Sequence, residues 1–225
     1  MNQMSIRFET HFHTQETSRC GNVSAADAVA AYAEKGYQGI VVTDHYLRTF
    51  FDNRSGSWED KANAWLAGYR AAKKQGDISG VTVLLGMELS SGFCRNEYLI
   101  YGLSEEDVLK YPELYNMEDT ALYNFCHEKG WLFVQSHPFR KYITYRQDPK
   151  YLDGVEVYNG NPRHNSQNGL AAEYANLHGL LALSGSDFHE WEDLAKGGVE
   201  FTETISNMED FVDAIKGQKY KLLET

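Results

Sequence analysis

Gly39-Ile40-Val41-Val42-Thr43-Asp44-His45 is a run of β-branched residues closed by an acid and an imidazole. It shows no polar alternation, so the strand it predicts is buried on both faces, as in a parallel sheet covered by helices. The same unit recurs on either side: a short β-rich run, a polar loop, then a helical pattern. Upstream, residues 5–10 read as a strand and 24–35 as a helix, with Ser24 as N-cap and Gly36 just past its end. Downstream, the spacing predicts strands at 81–87, 98–102, 131–135, 154–158, 180–184 and 198–201. Helices are predicted at 58–75 (stopped by Gly76), 117–129, 164–177 and 208–216, the last opened by a Ser206-x-x-Glu209 capping box. Strands alternating with helices predict a parallel α/β sheet with helical crossovers. Seven or so units in 225 residues suit a nearly closed β/α barrel in a single domain, residues 1–225, with an open flavodoxin-like or Rossmann sheet as the alternative. No G-x-G-x-x-G follows the first strand and no G-x-x-x-x-G-K-[ST] occurs, which argues against a glycine loop for nucleotides.

Lys plus Arg is 21 against 32 for Asp plus Glu, a net charge of −11. A chain this acidic has no general attraction for a nucleic acid polymer or an anionic membrane, so any phosphate must meet positive charge supplied locally. Cys20, Cys94 and Cys126 are odd in number and form no C-x-x-C. That predicts neither a disulfide framework nor a thiolate zinc ribbon, and fits a reducing, cytoplasmic location. Residues 1–8 show no apolar signal region, and the most apolar stretch, 78–87, is too short to span a bilayer.

Five histidines fall just past the ends of predicted strands. They are His11 and His13, then His45 in Thr43-Asp44-His45, His137 in Ser136-His137-Pro138, and His189 in Asp187-Phe188-His189. Glu88 closes a strand in Gly86-Met87-Glu88. Strand ends of a parallel barrel open onto one face, so these residues converge on one pocket. Alternation puts His11 with His13, and Asp187 with His189, on one side. Each fragment alone has a bland reading, as a surface pair, a turn or an ion-pair partner. Together, imidazoles and carboxylates aimed at one point suit a divalent cation. His127 and His178 read as structural, and Cys20 as a loop residue rather than a ligand.

The ordered motifs His11-x-His13, Thr43-Asp44-His45, Glu88, His137 and Asp187-x-His189 resemble the PHP superfamily, the polymerase and histidinol phosphatase phosphoesterases. The resemblance covers about residues 9–189. It implies a distorted (β/α)7, TIM-like barrel with two or three divalent ions. By that resemblance, His11, His13, Glu88 and Asp187 hold one ion, Glu88 bridges to a second with His137, and His45 and His189 hold a third. Glu16 is the candidate in the loop after His-x-His, where the family often has a His or Asp. Glu97 is the candidate where the family often has a further His. Nitrogen and oxygen ligands do not choose among zinc, manganese and iron.

The expected activity is hydrolysis of a small phosphomonoester, with a hydroxide made available at neutral pH by the ions. Arg140 is the best placed base for phosphate, followed by Arg163 and His164; a protonated His164 could serve as general acid. Asp44 is expected to orient a ligand or water, and Glu156 to do likewise. The loop 48–60, with Phe50, Phe51 and Trp58, suggests an aromatic pocket wall. Alternatives are an amidohydrolase-type metal hydrolase, which usually carries a bridging lysine where Glu88 stands, a nuclease trimming short single strands, and a non-catalytic metal-binding regulatory module. Substrate identity and oligomeric state are not legible.

Overall fold

In the computed structural model, residues 5–92, 95–141 and 144–225 are described, and Cys94 and the first four residues lie outside that set. Strands β1 (Ile6–Phe12), β2 (Gly39–Val42), β3 (His45–Tyr46) and β4 (Thr82–Ser90) pair in parallel, with β2 buried between β1 and β4, and β3 beside β4. Next, β5 (Glu97–Tyr101) runs antiparallel to both β4 and β6 (Leu132–Gln135). Parallel pairing resumes with β7 (Gly154–Asn159) and β8 (Leu181–Gly185). Finally β9 (Gly197–Phe201) lies antiparallel to β1, and β10 (Tyr220–Glu224) antiparallel to β9. The order is β10-β9-β1-β2-β4-β5-β6-β7-β8. The far edge returns to β1: Phe12 bridges Phe188, and Thr10 Oγ1 donates to Ser184 O at 2.6 Å. The sheet is a nearly closed, distorted barrel, and the open-sheet alternative falls away.

The all-parallel expectation is corrected at β5, β9 and β10. A parallel return needs a crossover of about a dozen residues or more, and only 91–96 join β4 to β5. Helix α1 (Ala25–Glu34) has the predicted Ser24 cap, and α2 (Arg48–Asp52) lies in the loop read as irregular. The helix predicted at 58–75 is two, α3 (Trp58–Trp65) and α4 (Ala67–Ser79), joined at Leu66. It does not stop at Gly76. That glycine is there for close packing, since a Cβ would meet Val81 O at 2.6 Å, and the left-handed Gly80 ends the helix instead. Then come α5 (Glu105–Lys110), α6 (Asp119–Glu128), α7 (Asn168–His178), which starts later than predicted, and α8 (Met208–Lys216). The cap of α8 is Asn207, one residue after the predicted Ser206. No helix among the described residues is long and apolar enough to cross a membrane.

One buried cluster takes residues from most of the strands, among them Phe8, Val41, Leu84, Leu99, Val134, Leu183 and Val199, and so marks the barrel interior. Helix α8 seals it with Phe211, Val212 and Ile215. Burying each such side chain contributes about 1.5–3 kcal/mol. A second cluster packs α1 and α4 on the outside through Phe12, Val29, Tyr32 and Ala72.

Two irregularities decide where the polar side chains point. Phe8 and Phe12 are four apart, so strict alternation would put both on one face. Phe8 nevertheless lies inside the barrel and Phe12 outside, because the β1–β2 register shifts between Glu9 and Phe12. This bulge reverses the phase and turns His11 and His13 inward. Its amides are satisfied by Glu9, whose Oε1 accepts from Thr10 N, His11 N and Ser186 N at 2.9 Å each, while Tyr32 OH donates to Oε2. A second shift, between Glu156 and Tyr158 in β7, lets Glu156 and Asn159, three residues apart, both reach the same interior network.

Candidate metal centre

Every main predicted side chain arrives at one mouth. His11 and His13 come from the end of β1, Asp44 and His45 from beyond β2, Glu88 from β4, His137 from beyond β6, and Asp187 and His189 from beyond β8. Because β5 runs backwards, it is its first residue, Glu97, that opens on this mouth. His137 and Asp187 have φ of 28° and 52°. Such left-handed backbone in non-glycine residues costs about 1–3 kcal/mol and persists where the surroundings impose it.

Glu88 is the hub. Its Oε1 lies 3.2 Å from His11 Nε2 and 3.2 Å from His137 Nε2; its Oε2 lies 3.3 Å from His13 Nε2 and 2.9 Å from His45 Nδ1. Asp187 Oδ1 is 3.4 Å from His11 Nε2 and 3.6 Å from His13 Nε2. Glu97 reaches His137 at 3.6 Å and His45 at 4.0 Å. Three ligand groups form compact sets: His11–His13–Glu88, His13–His45–His189 and His45–Glu88–Glu97. His11 Nε2, His13 Nε2, His45 Nδ1 and both Glu88 oxygens are buried with no hydrogen-bond partner. They sit at ion-pair distance but without hydrogen-bond geometry. A buried polar atom left this way is costly, and a shared cation satisfies all of them at once. The donor set therefore fits divalent metal.

The supporting residues are equally specific. Glu156 accepts from His11 Nδ1 at 2.8 Å and from His137 N at 3.0 Å, which leaves His11 Nε2 to face Glu88. Asp44 accepts from Thr14 N, Thr14 Oγ1 and Ser18 Oγ, all at 2.7 Å, and Ser18 Oγ lies 3.2 Å from His13 Nδ1. Asp44 thus orients His13 through Ser18. A Cβ on Gly68 would fall 2.0 Å from Thr14 Oγ1 and 2.6 Å from Asp44 Oδ2, so only glycine fits behind this network. Partners of this kind are worth about 10–100-fold in metal affinity. Glu156→Gln should lose that much, because its amide would face the donors His137 N and Asn159 Nδ2; unchanged affinity in a chelator competition would contradict the role.

Glu16 is not brought to the cluster. It is exposed, and its carboxylate accepts from Ala25 N at the start of α1. Arg140 is buried and already engaged: Nη2 bonds Asp187 Oδ2 at 2.7 Å and Asn159 Oδ1 at 3.0 Å, and Nε bonds Ser166 Oγ. Arg163 pairs with Asp193 at 2.5 Å and Glu190 at 2.9 Å. Arg140, Arg163 and His164 nevertheless line one cavity of about 290 Å3, together with His45, Glu88, Glu97, His137, Asp187 and His189. Burial, with the Arg140 charge, lowers the His164 pKa, which disfavours the protonated form a general acid needs. The expected aromatic wall is corrected too: Phe51 stacks on Trp58 and Tyr115 in the core, and only Phe50 lines a smaller adjoining cavity of about 170 Å3. His127 and His178 sit on exposed helix faces away from the mouth, as expected.

Three contributors had no sequence signal. Glu9 and Asp193 are wholly buried carboxylates, the latter accepting from His189 N and Glu190 N. Cys20 lines the cavity; burial would raise its thiol, but the nearby His189 and His45 lower it to about 5.

Burial alone would lower His11 and His45, yet Glu88 and the other carboxylates hold both well above the usual imidazole range. Burial alone would raise Glu88, yet His11 and His45 hold it well below its usual value. Both shifts favour the protonated imidazole in the metal-free site, so a binding cation competes with protons there. Metal uptake should therefore release protons, and affinity should rise with pH. Calorimetry in buffers of different ionisation enthalpy measures the release; a buffer-independent heat would contradict it.

The family model for PHP-associated segments, PHP_C, matches residues 165–220. A comparison with curated proteins finds no match. Among solved structures, a two-domain protein from Bacteroides vulgatus containing a predicted PHP-like metal-dependent phosphoesterase is similar at 13% identity and a TM-score of 0.69, over 98% of this chain. The chain spans 65% of that protein's length. PsfC from Pseudomonas syringae aligns with 16% identity and a TM-score of 0.69, over 98% of this chain and 92% of its own. The lesion-specific endonuclease EndoQ from Pyrococcus furiosus aligns with 15% identity and a TM-score of 0.62, over 97% of this chain and 58% of its own. The distorted barrel is what this chain shares with these structures. These likenesses show that the chain has the fold of those structures, and its residues 165–220 match the PHP-associated family model.

Proposed function

We propose that this protein is a metal-dependent phosphoesterase acting on a small phosphomonoester. The observation that carries this reading is the cavity: a cation-binding cluster and two arginines line one space of about 290 Å3 in a chain of net charge −11. His11, His13, Glu88 and Asp187 would hold one ion, and His137 with Glu88 and Glu97 a second. Divalent ions held there supply Lewis acidity, which acidifies water and offsets charge on a phosphoryl group.

The remaining roles belong to the protein's own groups. The Nε and Nη2 edge of Arg140 is used by Ser166, Asn159 and Asp187, which fixes the guanidinium and leaves Nη1 for a phosphoryl oxygen. Arg163, clamped by Asp193 and Glu190, contributes charge at the cavity edge. His164 lines the same cavity, and the lowering of its pKa favours a proton-accepting over a proton-donating role. The small cavity and the acidic surface favour a small substrate over a polynucleotide.

The test is a panel of phosphomonoesters, phosphodiesters, short oligonucleotides, lactones and amides, run with metal-loaded and chelator-treated protein. Chelator-sensitive hydrolysis of monoesters is expected. Turnover of lactones, amides or oligonucleotides with none of monoesters would overturn the reading.

A further inference from the structure

His45-Tyr46-Leu47 is an extended run between β2 and α2. Alternation along it sends Tyr46 into the core and leaves His45 and Leu47 on the opposite side. His45 faces Glu88, and Leu47 lines a second cavity, of about 170 Å3, whose wall also includes His45 and Cys20. The same two residues line the larger cavity of about 290 Å3 that takes in Arg140, Arg163 and His164, so the two spaces adjoin there. They differ in chemistry. The larger is ringed by charged and imidazole groups, whereas the smaller is walled almost wholly by carbon.

The carbon lining has identifiable causes. Thr17 and Ser18 stand in the wall, but their hydroxyls are engaged elsewhere: Thr17 Oγ1 donates to Trp65 O at 2.9 Å and Ser18 Oγ to Asp44 Oδ1 at 2.7 Å. What they offer the cavity is carbon. Phe50 supplies the aromatic surface and is 6% exposed. The Arg54 guanidinium lies over its ring at 3.5 Å and donates to Phe50 O at 2.8 Å, while Phe51 packs against it at 5.1 Å and 70°. The ring is thereby held in the wall and leaves the space beside it open.

We propose that this smaller cavity is the leaving-group subsite, and that the preferred substrates are phosphomonoesters of an alcohol bearing a single aromatic ring. An apolar cavity of about 150 Å3 holds one benzene ring, and this one is of that size. A sugar or glycerol group would give up its water there without gaining hydrogen-bond partners. The proposal rests on the phosphoesterase reading and adds to it what lies beyond the ester oxygen. In the reaction a water oxygen bonds to phosphorus, the P–O bond to the leaving group breaks, and that oxygen takes up a proton. Phosphate is then released from the polar cavity and the aryl alcohol from the apolar one.

Benzyl phosphate and glycerol 3-phosphate are both monoesters of primary alcohols, so they differ chiefly in the group beyond the ester oxygen. With metal-loaded protein, kcat/KM for benzyl phosphate should exceed that for glycerol 3-phosphate by about 10–100-fold, the scale of burying one such ring. Thr49 is exposed at the rim of the cavity, and Thr49→Trp, which places an indole there, should bring that ratio close to one. Equal kcat/KM for the two esters in wild type, or a preference that survives Thr49→Trp, would overturn the subsite and leave the phosphoesterase reading standing. No turnover of either ester would overturn that reading and the substrate class with it. A binding measurement needs neither turnover nor a variant: by calorimetry, benzylphosphonate should bind wild type about 10–100-fold more tightly than methylphosphonate. Equal affinity for the two phosphonates would overturn the subsite.

Discussion

Glu88→Gln is expected to keep the barrel and lose the metal centre. The substitution preserves the side chain's shape but removes the charge that four imidazoles share, those of His11, His13, His45 and His137, at 2.9–3.3 Å. Two of those rings are held by other groups, His11 by Glu156 and His13 by Ser18, so these should stay in place. What is lost is the carboxylate shared by two of the candidate ligand groups, which would hold neighbouring cations. Metal per chain should fall and hydrolysis should drop on the order of 10³-fold, the scale seen when a preorganised electrostatic group is removed. Steady-state rates and elemental analysis of the variant, purified beside wild type, read both effects. Wild-type metal content would refute the bridging role.

The second large effect is on stability. Asp187→Ala removes the only carboxylate within ion-pair distance of Arg140 among the described residues, and Arg140 is 8% exposed. A buried charge that loses its partner costs about 3–5 kcal/mol. Urea unfolding of metal-free protein should show that loss. Replacing Arg140 as well, as Arg140→Met with Asp187→Ala, should recover part of it, because the stranded cation is gone. A cost under about 1 kcal/mol for Asp187→Ala would mean that Asn159 and Ser166 suffice to hold the guanidinium.

Strand-end histidines were legible because their chemistry is unusual and their positions follow from alternation, and His11, His13, His45, Glu88, His137, Asp187 and His189 do meet at one mouth. The direction they face was not legible. It depends on the β1 bulge, and nothing in Glu9-Thr10-His11 distinguishes a bulge from a regular strand until Glu9 is seen accepting from Thr10 N and His11 N. The reversal of β5 was hidden for a similar reason: a β-rich run carries no sign of direction, and only the short connection before it forbids a parallel return. Glu16 and Cys20 show the limit for loops. Both follow His13 closely, yet the carboxylate caps a helix while the thiol lines the cavity. Loop geometry, set by Asn22 N on His189 O and by the crowded Gly21, decides between them.

Counting divalent ions per chain tests the central claim most directly. Protein purified without added metal, then dialysed against a low concentration of zinc, manganese and iron, is analysed for all elements at once. The account predicts two to three tightly held ions per chain, removed by chelator and regained on return of metal. A chain that remains folded and holds none would mean that the imidazoles and carboxylates at the barrel mouth are an ion-pair network and nothing more.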